Sequence, residues 1–253
     1  MMMDRRSFVL GLSGAAGSAA TASAAAQPLR ARNVVLVHGA YADGSCWSEV
    51  IPRLQSAGLT VTAVQNPLRS LAEDCDYARR ILALQDGPTV LVAHSYGGEV
   101  ITETGLDPKV SALVYCAARA PDAGEDYAAL AKTYPTPPAS AGLVHRDGYA
   151  QLSEPAFMRD FANGVEPAKG RVLFAVQGRI SDELFQARVT QAAWRGKPSF
   201  YQVSKLDRTI NPDLERFMAG RMKARTIELD AGHLAIVSHA RQVSELILEA
   251  ARV

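Results

Sequence analysis

The chain has 253 residues, 48% of them hydrophobic and 21% charged, with a formal net charge of +1. That balance fits a soluble globular chain of one large domain or two small ones. It carries no basic or acidic excess that would mark nucleic acid or an anionic membrane surface as a partner, and neither is expected.

Residues 1–26 differ in character from the rest of the chain. Asp4-Arg5-Arg6-Ser7-Phe8-Val9-Leu10 sets two arginines ahead of a mildly apolar Gly/Ala/Ser-rich run, which closes with Ala24-Ala25-Ala26 before Gln27. Charge, apolar run and small-residue cleavage site, in that order, predict a secretory signal peptide over 1–26. The paired arginines give it the twin-arginine pattern, so export of an already folded protein to the periplasm or the medium is expected. The run is too short and too glycine-rich for a stable membrane span. Cys46, Cys75 and Cys116 are odd in number and widely spaced, which excludes a disulfide framework and a zinc pattern. Buried thiols are the simplest state for them, with a single bridge left open.

The remainder, 27–253, reads as one α/β domain. Asn33–Val37 is the first strand and runs into His38-Gly39-Ala40-Tyr41; Trp47, Val50, Ile51 and Leu54 then recur at helical spacing. Leu59–Val64 is a second strand, and Asp76–Gln85 a helix with Tyr77, Ile81 and Leu84 on one face. The third strand, Val90 to Ala93, is apolar and largely β-branched, as burial on both faces requires. It is followed by His94-Ser95-Tyr96-Gly97-Gly98 and a helical pattern ending near Gly105–Pro108, then by a fourth strand, Val110–Cys116. This alternation predicts a mostly parallel six-stranded sheet with helices on both faces. From about 118 to 194 the rhythm breaks at Tyr134-Pro135-Thr136-Pro137-Pro138 and short helical patterns over Tyr127–Lys132, Ala156–Ala162 and Asp182–Val189. An insertion of that length after the fourth strand predicts a helical lid folded over the sheet. Phe200–Ser204, a helix over Pro212–Met222, Thr226–Leu229 and a last helix burying Val243, Leu246, Ile247 and Ala250 complete the chain.

The chemistry centres on Ser95. A serine at a sharp strand-to-helix turn sits in strained backbone with its hydroxyl raised above the sheet, and the residues two before and two after must be tiny. Here they are Ala93 and Gly97, one methyl away from G-x-S-x-G. A serine hydroxyl needs a histidine base and an acid to orient that base, in the chain order Ser, acid, His. Of the five histidines, His38 precedes the serine, His94 adjoins it and cannot fold back onto its Oγ, His145 lies in the lid and His239 starts the last helix. His233, alone after the last strand in Asp230-Ala231-Gly232-His233, is the candidate base. Asp207, directly after the strand Phe200–Ser204, is the candidate acid, with Asp122 as its rival. Asp230 is too close to His233, and Asp213 suits helix capping. The amides of Tyr96 and Ala40 are the candidate oxyanion donors. Tyr41, Trp47, Tyr96, Tyr127, Phe157, Trp194 and Leu234 are candidates for an apolar pocket, each equally able to be core.

With these residues in place the chain resembles the α/β-hydrolase superfamily. More narrowly, it is similar to the compact esterase group of plant methylesterases, hydroxynitrile lyases and their bacterial relatives. The resemblance rests on VLVHGA (34–40 region), VLVAHSYGG (90–98), LDRTI (206–210) and AGH (231–233), and is weak across the lid. It implies a Ser95–His233–Asp207 triad, an acyl-enzyme intermediate, a small-molecule ester substrate and no cofactor or metal. In the related lyases the position matching Gly39 is a threonine, and the residue after the histidine, here Leu234, is a lysine. A lyase or a cofactor-free peroxidase-type activity on the same triad is the alternative. A secreted binding protein that has lost turnover is the non-enzymatic one.

Overall fold

The computed structural model describes Met1 and residues 28–253, so the expected signal peptide lies, Met1 aside, outside the described residues. Strand β1 (Asn33–Val37) leads through a 3-10 turn (Gly44–Trp47) to helix α1 (Ile51–Ser56) and strand β2 (Thr60–Ala63). Helix α2 (Leu71–Ala83) precedes β3 (Thr89–His94), α3 (Gly97–Thr104) and β4 (Val110–Cys116). The insertion holds α4 (Tyr127–Ala131), β5 (Leu143–Arg146), β6 (Tyr149–Leu152), α5 (Glu154–Ala156), α6 (Pro167–Ala175) and β7 (Ile180–Ser181). The chain then returns through β8 (Ser199–Ser204), α7 (Pro212–Arg221), β9 (Arg225–Leu229), α8 (Ala235–Ser238) and α9 (Ala240–Ala250).

All six expected strands form, in the order β2-β1-β3-β4-β8-β9. The sheet is parallel throughout. Every residue of β1 and β3 is buried, because α1 and α9 pack together on the sheet, as do α2 and α3, and leave no strand face in water. Each fully buried Val or Leu there contributes about 1.5–3 kcal/mol relative to exposure. The two outer strands are far more exposed, as edges of a parallel sheet are. Strand order reverses between β1 and β3, and in open α/β sheets the crevice outside the carboxyl ends at such a switch point is where ligands bind. The register aligns those ends: Val37 pairs with Ala93, His94 with Cys116, and Ser204 with Leu229. The segments after β1, β3, β4, β8 and β9 therefore emerge along one edge.

Helix α2 starts earlier than its apolar periodicity indicates. Ser70 Oγ accepts the Glu73 amide at 3.2 Å, an N-cap that sets the start at Leu71 in place of Asp76. The lid also differs from an all-helical one. Its helices are joined by a small antiparallel sheet, β5-β6-β7. Asp147 and Gly148 turn the β5–β6 hairpin with φ of 54° and 76°, the left-handed pair that a two-residue Asp-Gly turn supplies. The Ala156–Ala162 pattern becomes α5 running into one π-helical turn, Phe157–Phe161, and Asp182–Phe185 is a 3-10 turn. All three cysteines are free and buried. Among the described residues no helix is long and apolar enough to cross a membrane.

Candidate active site

Ser95 stands between β3 and α3 with φ of 53°, a left-handed conformation that a serine adopts only where its surroundings enforce it. The enforcement is visible. Its N–H donates to the Cys116 carbonyl at 3.3 Å, and its carbonyl accepts from Gly98 at 3.0 Å and from Arg119 at 3.0 Å. A Cβ on Gly97 would fall 2.7 Å from the carbonyl oxygens of Val37 and His38, so the turn closes only with glycine there. Gly39 is as tightly placed, since a Cβ on it would lie 2.6 Å from Ser95 Cβ and 3.2 Å from Ser95 Oγ. The strand β1 loop is thus laid directly against the serine.

That loop is fixed by His38. Its Nε2 accepts the Asn66 amide at 2.9 Å, which leaves the proton on Nδ1, facing the Gly39 carbonyl at 2.9 Å. Asn66 Nδ2 returns a bond to the His38 carbonyl at 2.9 Å. Burial holds His38 below the usual histidine range and hence neutral. Among the described residues the Ala40 and Tyr96 amides donate to no other protein group. Beneath the turn, the buried Tyr96 hydroxyl donates to Asp74 Oδ2 at 2.7 Å, and Leu68 donates to Asp74 Oδ1 at 2.9 Å. Burial raises the Asp74 carboxyl to about 6 despite those bonds.

The structure brings His233 and Asp207 together. His233 Nδ1 lies 2.6 Å from Asp207 Oδ2, with both side chains fully buried. Asp207 Oδ1 accepts the amides of Thr209 at 2.6 Å and Ile210 at 2.9 Å, so three donors converge on one carboxylate. His233 Nε2 is buried without a hydrogen-bond partner among the described residues. Phe161 lies against the imidazole with ring centroids 5.1 Å apart, and His94 stands on it at 4.6 Å. The rival acid is elsewhere: Asp122 is forked by Arg195, with Nε 2.9 Å from Oδ1.

Of the candidate pocket residues, Tyr41, Phe157 and Leu234 share the walls of a small cavity with Cys46, Phe161 and Leu173. Tyr41 also opens on a cleft of about 130 Å³ under the lid, whose other walls include Arg119, Leu143, Leu152, Phe185 and Thr209. Tyr127 lies flat beneath Arg119, 4.7 Å from ring centroid to guanidinium carbon. Trp47 is wholly buried, and Trp194 is tied into the base of the lid through Nε1 to the Pro121 carbonyl at 2.9 Å.

A strained serine at the β3–α3 turn, and a buried His–Asp pair on loops after β9 and β8, are the parts that one superfamily assembles in this order. The model of the family described as "Alpha/beta hydrolase family" matches residues 34–246. The chain belongs to that family. A carbendazim hydrolyzing esterase from Nocardioides sp. (strain SG-4G) is 33% identical over 126 residues, 44% of this chain and 52% of that relative, so the match spans about half its length. Methylesterase 8 of Arabidopsis thaliana is 24% identical over 245 residues, covering 86% of this chain and 88% of the relative. Among solved structures, polyneuridine aldehyde esterase superposes with a TM-score of 0.75 at 17% identity, covering 87% of this chain and 99% of that one. The pyrethroid hydrolase PytH does so with 0.72 at 21%, covering 87% and 96%. The resemblance to plant methylesterases and their bacterial relatives is borne out.

The α/β-hydrolase scaffold also places residues at the site that sequence reading passed over. Asn163, in the lid, donates from Nδ2 to the Leu206 carbonyl at 2.9 Å and lies 3.4 Å from the His233 amide through Oδ1. Asp160, fully buried in the π-helical turn, accepts from Arg208 Nε at 2.7 Å and from Arg159. Burial would raise its carboxyl, but the two guanidinium groups outweigh that and hold it below the usual range. No local motif announces these residues, because the partners that tie them to the site, Leu206, His233 and Arg208, are 43 or more positions away in the chain.

Proposed function

We propose that this α/β hydrolase cleaves a small carboxylic ester with Ser95 as nucleophile, His233 as base and Asp207 as its orienting acid. The chain is a carboxylic-ester hydrolase. The observation that carries the reading is the 2.6 Å contact of His233 Nδ1 with Asp207, on the same sheet edge as the strained Ser95. With the Nδ1 hydrogen held in a hydrogen bond to the Asp207 carboxylate, Nε2 carries the lone pair and takes the Ser95 proton as Oγ attacks the ester carbonyl. The new oxyanion is received by the Ala40 and Tyr96 amides, the second at the N-terminal end of α3. Collapse breaks the bond to the alkoxy oxygen, which leaves as the alcohol with the proton from His233. Water then attacks the acyl-enzyme, assisted by the same base, and the carboxylic acid leaves.

The substrate class follows from the walls and from the relatives. Tyr41, Leu143, Leu152 and Phe185 make the cleft mostly apolar, and its volume of about 130 Å³ suits a compact acyl or alkoxy group. The relatives are named as methylesterases, a carbendazim hydrolyzing esterase and a pyrethroid hydrolase, so hydrolysis recurs among them. We assign this chain an uncharged small-molecule ester, with neither cofactor nor metal. The Arg5-Arg6 pattern further supports export through the twin-arginine route to the periplasm or medium.

A serine-reactive phosphonate tests the assignment. One covalent adduct on Ser95, with ester turnover reduced by on the order of 10⁶ in Ser95→Ala, is expected. Activity within roughly tenfold of wild type in that variant, about 1.4 kcal/mol of barrier, would overturn it. For export, Arg5-Arg6 changed to Lys-Lys should trap precursor in the cytoplasm, and unchanged export would overturn that part alone.

A further inference from the structure

Glu215, on α7, is fully buried, and the proposed reaction does not use it. Its Oε2 accepts the Ser204 amide at 3.0 Å, at the end of the strand that leads to Asp207. Its Oε1 has no nitrogen or hydroxyl donor among the described residues. The carboxyl faces that of Asp207 within hydrogen-bonding reach. Asp207 is equally sealed from water, with Thr209 and Ile210 on Oδ1 and His233 on Oδ2.

Two buried carboxyl groups in contact cannot both be ionised, because neither water nor a cation offsets the repulsion. One of them holds a proton. Asp207 has two amides and an imidazole N–H arranged to receive its negative charge, whereas Glu215 has one amide. The proton therefore belongs on Glu215, where it also gives the orphaned Oε1 something to do. Burial first, then the Asp207 charge, push Glu215 well above the usual carboxylate range. The other groups around it leave this unchanged. Cys116 on β4, Tyr201 on β8 and Tyr127 on α4 are neutral acids whose ionisation burial makes harder still. Arg216 turns away to Asp213 at 2.8 Å and Glu228 at 2.7 Å.

We propose that Glu215 is a neutral carboxylic acid that donates its hydrogen to Asp207 and so acts as a positioning residue for the acid of the triad. The positioning role rests on the serine-hydrolase reading; the protonation does not. Functionally, the donor pins Asp207 so that Oδ2 stays on His233 Nδ1. It does this without a second negative charge, which would make the imidazole harder to deprotonate.

Glutamine is the isostere of a protonated glutamate: one amide hydrogen for Asp207, one carbonyl for Ser204. Glu215→Leu removes the donor, and kcat is expected to fall roughly tenfold with KM little changed. Glu215→Gln is expected to restore most of that loss and to leave the acid limb of kcat/KM, which reports the free base, where it stands in the wild type. The infrared difference spectrum between wild type and Glu215→Gln at neutral pH should contain a protonated-carboxyl band from the wild type. A downward move of the acid limb in Glu215→Gln by about half a pH unit or more would mean that a negative charge had been removed, and would overturn the proposal. Absence of the infrared band would overturn it too, as would full kcat in Glu215→Leu. The infrared measurement needs neither turnover nor a folded leucine variant. A wild type that cleaves no ester thus sinks the hydrolase reading while the proton on Glu215 is still decided.

Discussion

His94 donates from Nε2 to the carbonyl oxygen of His233 at 3.0 Å, tying the strand that ends at Ser95 to the loop that carries the imidazole. The carbonyl can only accept, so the His94 proton is on Nε2 and its buried Nδ1 is bare. Burial, reinforced by the neighbouring His233, drives His94 well below the usual range and keeps it neutral. The residue cannot act as a base on its neighbour, yet it sets the height of the loop. His94→Ala should lower kcat roughly tenfold and stability by about 1–3 kcal/mol, since it deletes a buried hydrogen bond and leaves a cavity. Phosphonate labelling of Ser95 at the wild-type rate in a folded His94→Ala variant would exclude this role.

The two candidate acids should separate by orders of magnitude. Asp207 holds His233 Nδ1, and an asparagine there can turn an N–H to Nδ1 and hold the histidine in the wrong tautomer, so kcat should fall by roughly 10⁴ in Asp207→Asn. Asp122 is paired with Arg195, whose side chain is 62% exposed, and such a pair is worth about 0–1 kcal/mol. Asp122→Asn should therefore shift the thermal midpoint slightly and kcat hardly at all. The reverse ranking would move the acid to the loop after β4.

Sequence legibility followed chain locality. The four inner strands could be read because parallel strands buried on both faces are short apolar runs, as in Asn33–Val37 and Thr89–His94. Ser95, His233 and Asp207 could be placed because each follows closely on a strand of the sheet and strand ends fix position in space. The hairpin at Asp147-Gly148 and the N-cap at Ser70 were also local signals, but weaker than the apolar periodicity beside them. Asn163, Asp160 and Glu215 gave no signal. Asn163 and Asp160 take their meaning from the lid closing over loops remote in sequence, and Glu215 from α7 folding back on the end of β8; a polar residue in a helix pattern looks solvated until its neighbours are known.

Asp74 makes stability depend on pH. Its carboxyl is raised to about 6, chiefly by burial, whereas an unfolded aspartate titrates at about 3.9. Below the lower value both states hold the proton and the difference vanishes. As pH climbs through the upper value, the unfolded chain has already ionised while the folded one resists, so the wild type loses stability. The loss is on the order of 3 kcal/mol once both are ionised. Asp74→Asn keeps an acceptor for Leu68 and a partner for Tyr96 without the ionisation. Urea unfolding should show the variant gaining on the wild type between about pH 4 and 6 and holding that gain above. A constant difference across that interval would rule the mechanism out.

Asn163 binds the loop before Asp207 and the His233 amide from the lid side, and Gly232 is packed so closely on it that any Cβ there would collide. Asn163→Ala frees the Leu206 carbonyl and leaves the His233 amide without its acceptor. Activity should fall several-fold, and stability by about 1–2 kcal/mol. Gly232→Ala should act in the same direction, and more strongly, because the loop must shift to admit the methyl group. Comparing kcat with KM for both variants checks the claim, since a loss confined to KM would assign Asn163 to substrate binding instead.

The charges around the base decide which bond the site breaks. Cyanohydrin cleavage expels a small anion, and a site built for it needs a positive charge beside the base to receive that anion. Here the residue after His233 is Leu234, buried in an apolar cavity wall with Tyr41, Phe157 and Phe161. Arg119, the cation of the neighbouring cleft, is engaged by Glu99 at 3.1 Å and covers Tyr127. On the opposite side Gly39 lies so close to Ser95 that no side-chain hydroxyl could be inserted there without moving one of them. An ester carbonyl can still reach the Ala40 and Tyr96 amides, because glycine leaves that approach open. Short-chain aryl or methyl esters should thus be hydrolysed, and mandelonitrile should release no cyanide above background. Enzyme-dependent cyanide release that vanishes in Ser95→Ala would reverse the assignment from hydrolysis to carbon–carbon cleavage.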